Sequence, residues 1–444
     1  MMVRVSQELE SYLSDFEGFE KNRAVKGPPW VHQIRQAALS RFAALGVPSS
    51  RHEDVTLREE WRYTNVAPLV KVRFQPASYE RNGLAADALA RVAFGGAACT
   101  QLVFVNGYYV RELSFLGSLP EDVKAGSLAA VLNADPALVE PHLARYASYQ
   151  GHPFVALNTA FMADGAFVYI PQGTVVEEPI HLVFVSTAHE KPTVSHPRNL
   201  IVVENDSQAT IIESYGGLDD DVYFTNVVSE ICGGENAIIT HYRLQQESQE
   251  AFHIATVQAH LRRSSNFSSH SIALGGTLVR NDVAATLAGE GSECTLNGLY
   301  MVTGHQQVDN HTRIDHEQPH CSSRELYKGI LDGKSKGIFN GKIYVHQAAQ
   351  KTDAKQTNKN LLLSEDAVIN TKPQLEIYAD DVKCTHGSTI GQLDQDAMFY
   401  LRSRGIGLQA ARRLLTYAFA SEIITQIKIE PVRAQLDHLL TTRL

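Results

Sequence analysis

The chain of 444 residues carries a formal net charge of -9 at pH 7, with 20% charged and 44% hydrophobic residues. An acidic balance without a long basic run speaks against nucleic acid or an anionic membrane surface as the main partner, and the length asks for two or three structural regions at roughly 100–200 residues each. The five cysteines, at positions 99, 232, 294, 321 and 384, are spread out with no CxxC, a pattern that suggests neither a disulfide framework nor a four-cysteine zinc site and fits a reducing compartment.

The amino-terminal stretch "MMVRVSQELESYLSDFEGFE" is acidic and has no continuous apolar h-region, and no run of 18 apolar residues occurs anywhere. The expectation is a cytoplasmic protein with neither a signal peptide nor a membrane span. Leu9, Tyr12, Leu13 and Phe16 recur at i, i+3, i+4 and i+7, and Val31, Ile34, Ala38, Phe42 and Leu45 form a second stripe before "GVP"; both predict amphipathic helices. Residues 85–148 mix helical patterns, "AADALARV" and "SLAAVLNADPALVEPHLARYA", with one strand-like run, "QLVFVNGYYV".

From about residue 165 short β-branched runs follow one another without helices: "AFVYIPQG", "IHLVFVST", "NLIVVEND", "ATIIESYGG", "DVYFTNVVSE" and onward to "LEIYADDVKCTHG". More than 200 residues of strands with few Asn-Gly or Asp-Gly hairpin signals suit a parallel β-solenoid as well as a sandwich or barrel, and no clean repeat period separates them. Helical spacing returns after "GQLDQDAMFYLRSRG", with "LQAARRLLTYAFASEIITQI" and "VRAQLDHLLTTRL". This predicts a small helical region capping the β domain, whose apolar stripe serves either its own packing or a docking surface.

His305, Asp309, His311, Asp315, His316, His320 and Cys321 form the densest set of ligand-type side chains. Their spacing matches no closed zinc motif, and strand alternation sends neighbours to opposite faces, so dispersed histidines are expected. There is no GxSxG, HExxH, GxxxxGK[ST] or GxGxxG after a strand, which speaks against an enzyme with a triad or a phosphate loop. Cys384 and His386, two apart near a strand end, point to the same face; they can hold a soft metal or sulfur species with ligands from elsewhere, or only pack.

Taken together, "ADDVKCTHGSTIGQLDQDAMFYLRSRGI", "CSSRELYKGIL", "GIFNGKIYVHQAAQKTDAKQTNKNLLLS", "FVALNTAFMADGAFVYIP" and "REEWRYTN" closely resemble the SufB/SufD family of iron–sulfur cluster assembly proteins over nearly the whole chain. The resemblance implies a mainly β fold: a right-handed parallel β-helix core at 161–393 between a mainly helical region at 1–160 and a helical region at 394–444. It also implies a non-enzymatic scaffold that pairs with SufB through the β-helix and docks the ATPase SufC with its carboxy-terminal helices. Phe399, Tyr400, Leu414, Leu415 and Phe419 are the docking candidates on that basis.

Asn358 stands where SufB has a cysteine, and Gly387 follows His386 where SufB has a His-Glu pair, which places the chain on the SufD side of the family. The implied metal ligand is then His386, with Cys384 second, facing a transient iron or nascent Fe–S cluster shared with SufB; no cofactor is expected to bind this chain tightly by itself. A homodimer is the implied form in isolation. The competing readings are a carbohydrate-active β-helix enzyme and a purely structural homodimeric β-helix protein.

Overall fold

The computed structural model describes residues 15–21, 27–78, 84, 89, 92–93, 99–187, 190–218 and 221–443. Of the first predicted stripe, Leu9, Tyr12 and Leu13 lie outside the described residues, as does most of "AADALARV". Phe16 is helical and meets Phe161 edge-on with ring centroids 5.7 Å apart.

The amino-terminal region contains α1 (Pro29–Leu45), α2 (Val55–Glu60), α3 (Ala67–Lys71), α4 (Leu128–Ala134) and α5 (Pro153–Phe161). Helix α1 starts on a proline and stops at Gly46, whose φ of 67° suits a residue without a side chain. Its predicted stripe buries Val31, Ala38, Phe42 and Leu45. Asp54 caps α2 by accepting from the Thr56 and Leu57 amides. The strand-like run forms β2 and β3, since β1 (Gln75–Pro76), β2 (Thr100–Val105), β3 (Tyr108–Tyr109) and β4 (Lys124–Ser127) precede the long repeat.

The repeat comprises β5 (Ala166–Ile170), β6 (Ile180–Ser186), β7 (Thr193–Ser195), β8 (Arg198–Val203), β9 (Gln208–Gly217), β10 (Tyr223–Gly233), β11 (Ile238–Gln246), β12 (Phe252–Leu261) and β13 (Asn266–Ala273). It continues with β14 (Leu278–Leu287), β15 (Glu293–Val302), β16 (Gln307–His316), β17 (Ser322–Leu331), β18 (Lys336–Val345), β19 (Asp353–Leu362), β20 (Val368–Ile377) and β21 (Lys383–Gly391). One sheet runs β20-β18-β16-β14-β12-β10-β8-β5-β4 and the other β21-β19-β17-β15-β13-β11-β9-β6-β2-β3. Within the repeat the pairing is parallel; among the described residues the antiparallel contacts are β2–β3, β4–β5 and the isolated bridge Gln101–Phe115. This is a parallel β-solenoid, and it excludes an antiparallel sandwich or barrel. Strand β2 already pairs in parallel with β6, so the solenoid draws in chain from before residue 161.

One corner of the coil explains the Asn, Asp and Gly punctuation. Gly173, Asp206, Asn236, Ser264, Gly291, His320 and Lys351 all have φ between 54° and 74°, and each donates its amide to a carbonyl of the next turn. Short polar residues and glycine tolerate this left-handed geometry best, which is why they recur there.

The interior is apolar at the first turns. Phe104, Phe184 and Tyr215 occupy one register column on β2, β6 and β9 and stack at centroid distances of 4.7 and 4.8 Å. Helices α1 and α5, with Trp61, cover the outer face of the even-numbered sheet through Phe224, Phe252, Ile254 and Leu278. Arg280 on β14 ties that covering down: its guanidinium lies 3.7 Å over the Trp61 ring, donates to the Glu60 carbonyl at 3.0 Å, and pairs with Asp282 and Asp309 at 2.8 and 2.9 Å. The segment "REEWRYTN" is thus the clamp between the helical region and the solenoid.

The chain ends with α6 (Gln395–Ser403), α7 (Leu408–Ile424) and α8 (Glu430–Arg443). The expected cap needs correction, because α7 and α8 lie along the side of the solenoid rather than over its end. Outward-facing Ile212, Tyr242, Leu244, Ile272, Leu299 and Ile330 give the odd-numbered sheet an apolar outer face, against which Ala420, Ile423, Ile424, Val432, Leu436 and Leu440 are buried. Lys328 of β17 reaches the Glu422 carboxylate at 2.6 Å and locks α7 in place.

Candidate functional site

The helices leave the last turn of the solenoid uncovered. Strands β20 and β21 have no fully buried residue, and each pairs along one edge only, with β18 and β19. Their other edges present unpaired backbone groups, the geometry that accepts another strand. Exposed apolar side chains sit at this end: Val368, Ile377, Tyr378 and Ile390, the last 50% exposed.

His386 lies on β21 and is exposed. In register beneath it are Gln356 on β19 and Glu325 on β17. Ala354, Gln356 and Asn358 face the interior, so their register partners Cys384, His386 and Ser388 continue the same inward column to the open end. The alternation argument for Cys384 and His386 sharing a face therefore holds. Across the mouth, Ser388 and Thr371 of the opposite sheet meet at 2.9 Å.

The two candidates differ in surroundings. Cys384 is half-buried against Ile343, Val345, Ala354 and Ala379, and burial pushes its thiol up from the ordinary range. A thiol held protonated is a poor metal ligand. His386 is exposed, and a Cβ added at Gly387 after it would meet nothing within 4 Å.

Beneath His386 the column is polar and buried. Gln356 donates Nε2 to Glu325 Oε2 at 2.8 Å, and Gln356 Oε1 and Glu325 Oε1 have no hydrogen-bond partner. Burial pushes the Glu325 carboxyl up to about 7, against the pull of the polar Thr312 and Gln356 side chains beside it. Gly341 makes room for this arrangement, since a Cβ there would come within 2.3 Å of Gln356 Nε2. The sequence reading missed Glu325 and Gln356; the only signal for them is register, which no single segment shows. Asn358 is fully buried and donates to the Tyr327 carbonyl at 3.2 Å, a packing role.

The histidine-rich stretch is dispersed as expected. His311 faces outward and meets Asp309 at 3.1 Å, His316 is buried inside and meets Ser323 at 2.9 Å, and His320 takes the left-handed corner. Asp315 pairs with Arg313 at 2.7 Å, Cys321 is buried, and His305 is exposed in a turn. Among the described residues no three His, Cys, Asp or Glu side chains are grouped to hold a metal ion.

Of the docking candidates, Phe399 and Tyr400 are 73% and 57% exposed on α6, and Leu414 is exposed on α7. Leu415 is half-buried, and Phe419 is partly spent on internal packing, with the Lys328 ammonium 4.1 Å from its ring.

Residues 184–419 match the family model "SUF system FeS cluster assembly, SufBD core domain", and residues 6–182 match "SufBD protein N-terminal region". The chain belongs to the SufBD family of the SUF iron–sulfur cluster assembly system. It is 38% identical to an iron–sulfur cluster assembly SufBD family protein of Synechocystis over 92% of this chain and 90% of that one. It is 33% identical to the iron–sulfur cluster assembly protein SufD of Escherichia coli, over 90% of each chain. Identity to the SufD of Bacillus subtilis is 27% over 96% of each. Membership gives the chain a role in iron–sulfur cluster assembly. No helix among the described residues is long and apolar enough to cross a membrane.

Proposed function

We propose that this chain is a non-enzymatic, cytoplasmic scaffold subunit of the SUF machinery that pairs with SufB through the open end of its solenoid and docks SufC through α6 and the start of α7. The observation that carries the reading is the uncovered last turn. Two free strand edges and exposed Ile377, Tyr378 and Ile390 are what a second solenoid end would cover. Exposed Phe399 and Tyr400 on α6 and Leu414 on α7 are apolar side chains that the fold leaves for the ATPase.

At the seam, His386 supplies a neutral imidazole to an iron ion or nascent cluster, which is cargo rather than a resident cofactor; the remaining ligands come from SufB. Gln356 Oε1 is the buried acceptor one strand below. It can take the imidazole's other N–H, which would fix the tautomer and leave the second nitrogen free for the metal. Cys384 serves packing in this reading.

Co-purification tests the assignment of surfaces. Ile390→Asp is expected to lose SufB and keep SufC, and Phe399→Asp the reverse, with melting of the isolated chain changed by no more than about 0.5 kcal/mol. Retention of SufB at wild-type yield by Ile390→Asp would overturn the end-on pairing.

A further inference from the structure

A cavity of about 580 Å³ lies at the joint between the solenoid and the carboxy-terminal helices, on the side of the molecule and away from His386. Its floor is apolar, formed by Met301, Ile330 and Leu363 of the odd-numbered sheet and its turns. Its walls carry three guanidinium groups: Arg412 and Arg413 from α7 and Arg443 from α8.

The three arginines differ from the cations around them. Lys328 and Lys359 share the Glu422 carboxylate at 2.6 and 3.3 Å, and Arg433 pairs with Glu430. Arg412, Arg413 and Arg443 form no ion pair among the described residues. Arg412 donates to the Leu363 carbonyl at 3.1 Å and Arg443 to the Leu274 carbonyl. One anchoring bond fixes each of those two heads and leaves most of its five donors unused. The one carboxylate in the wall, Asp332, accepts from the Gly333 amide at 2.9 Å. In a chain of net charge -9, this is a local concentration of uncompensated positive charge in a concave site.

We propose that this cleft binds a small phosphate-bearing molecule. Guanidinium forks match phosphate oxygens in pairs, and two of the three are held by the backbone before any ligand arrives. The volume is that of a site for a small organic molecule, so the apolar floor can take a body attached to the phosphate. An occupant bridging Arg412 and Arg443 would tie α7 and α8 to the solenoid. The inference stands independently of the role given to His386.

The test is calorimetric titration of the full chain with pyrophosphate, with ADP and with sulfate, for wild type, Arg413→Ala and Arg412→Lys. Arg413 is exposed and has no ion pair or side-chain hydrogen bond among the described residues, so its variant is expected to fold normally. Saturable binding of pyrophosphate or ADP, weakened about tenfold or more by Arg413→Ala, supports the site. A loss in Arg412→Lys as well shows that the fork, and not charge alone, is read. Tighter binding of ADP than of pyrophosphate identifies an organic phosphate, and the reverse an inorganic one. Absence of binding by the wild type, equal binding of sulfate, or undiminished binding by Arg413→Ala overturns the proposal.

Discussion

The two ends of the solenoid use the same strand geometry and finish it differently. At the first turns β5, β6 and β8 are buried at almost every position: β4 pairs with β5, β2 pairs with β6, and Val31, Leu128, Leu132 and Leu143 pack against Phe167, Leu200 and Val202. At the last turn β20 and β21 bury nothing fully. In a stacked repeat each turn is stabilised by its neighbours, and the terminal turn lacks one neighbour unless something else supplies it. The amino-terminal region supplies it at one end. At the other, the same stacking free energy is left for a partner, and the chemistry-bearing His386 is placed on that strand.

Substitutions can break this contrast in graded steps. The largest loss of stability is expected at the covered side, from Arg280→Ala. It strands the Asp282 and Asp309 carboxylates: burial pushes both up, and Arg280 with His152 at Asp282, and His311 with Arg280 at Asp309, hold them below the ordinary range. Removing one partner from such a buried network costs about 3–5 kcal/mol. Chemical denaturation should show that loss, and an unchanged midpoint would mean that the clamp on Trp61 contributes little.

Next comes Glu325, between the two ends. Its carboxyl titrates at about 7 in the folded chain against 4.5 as the ordinary value. The native state therefore binds more protons in that window, and stability falls as pH rises through it. Glu325→Gln removes the titration, so the variant should match the wild type at the acid end and exceed it above pH 7 by on the order of 3 kcal/mol. Parallel stability-versus-pH curves for the two proteins would contradict the assignment.

Much of this was legible in the sequence, and the exceptions have identifiable causes. The strand run and the α1 stripe could be read because alternation and 3.6-residue spacing are local. The solenoid period could not, because successive turns differ: Phe252 pairs with Leu278, 26 residues on, while Lys336 pairs with Val368, 32 residues on. The shared face of Cys384 and His386 followed from spacing two, but the exposure of one and the burial of the other depend on Ile343, Val345 and Ala379, which belong to other segments. Likewise a helical stripe in α7 does not say which side meets a sheet, so Phe419 and Leu414 looked alike in sequence and differ in the fold. Glu325 and Gln356 were missed because polar residues in β-rich segments ordinarily face solvent.

The smallest stability effect and the largest functional one should coincide at His386. The direct measurement is cluster formation by this chain co-expressed with SufB and SufC, wild type against His386→Ala, read anaerobically by visible absorbance and iron content, with gel filtration of the complex alongside. The account predicts an intact complex that has lost iron or cluster. An intact complex with unchanged cluster yield would contradict it and reduce the open end to an architectural contact.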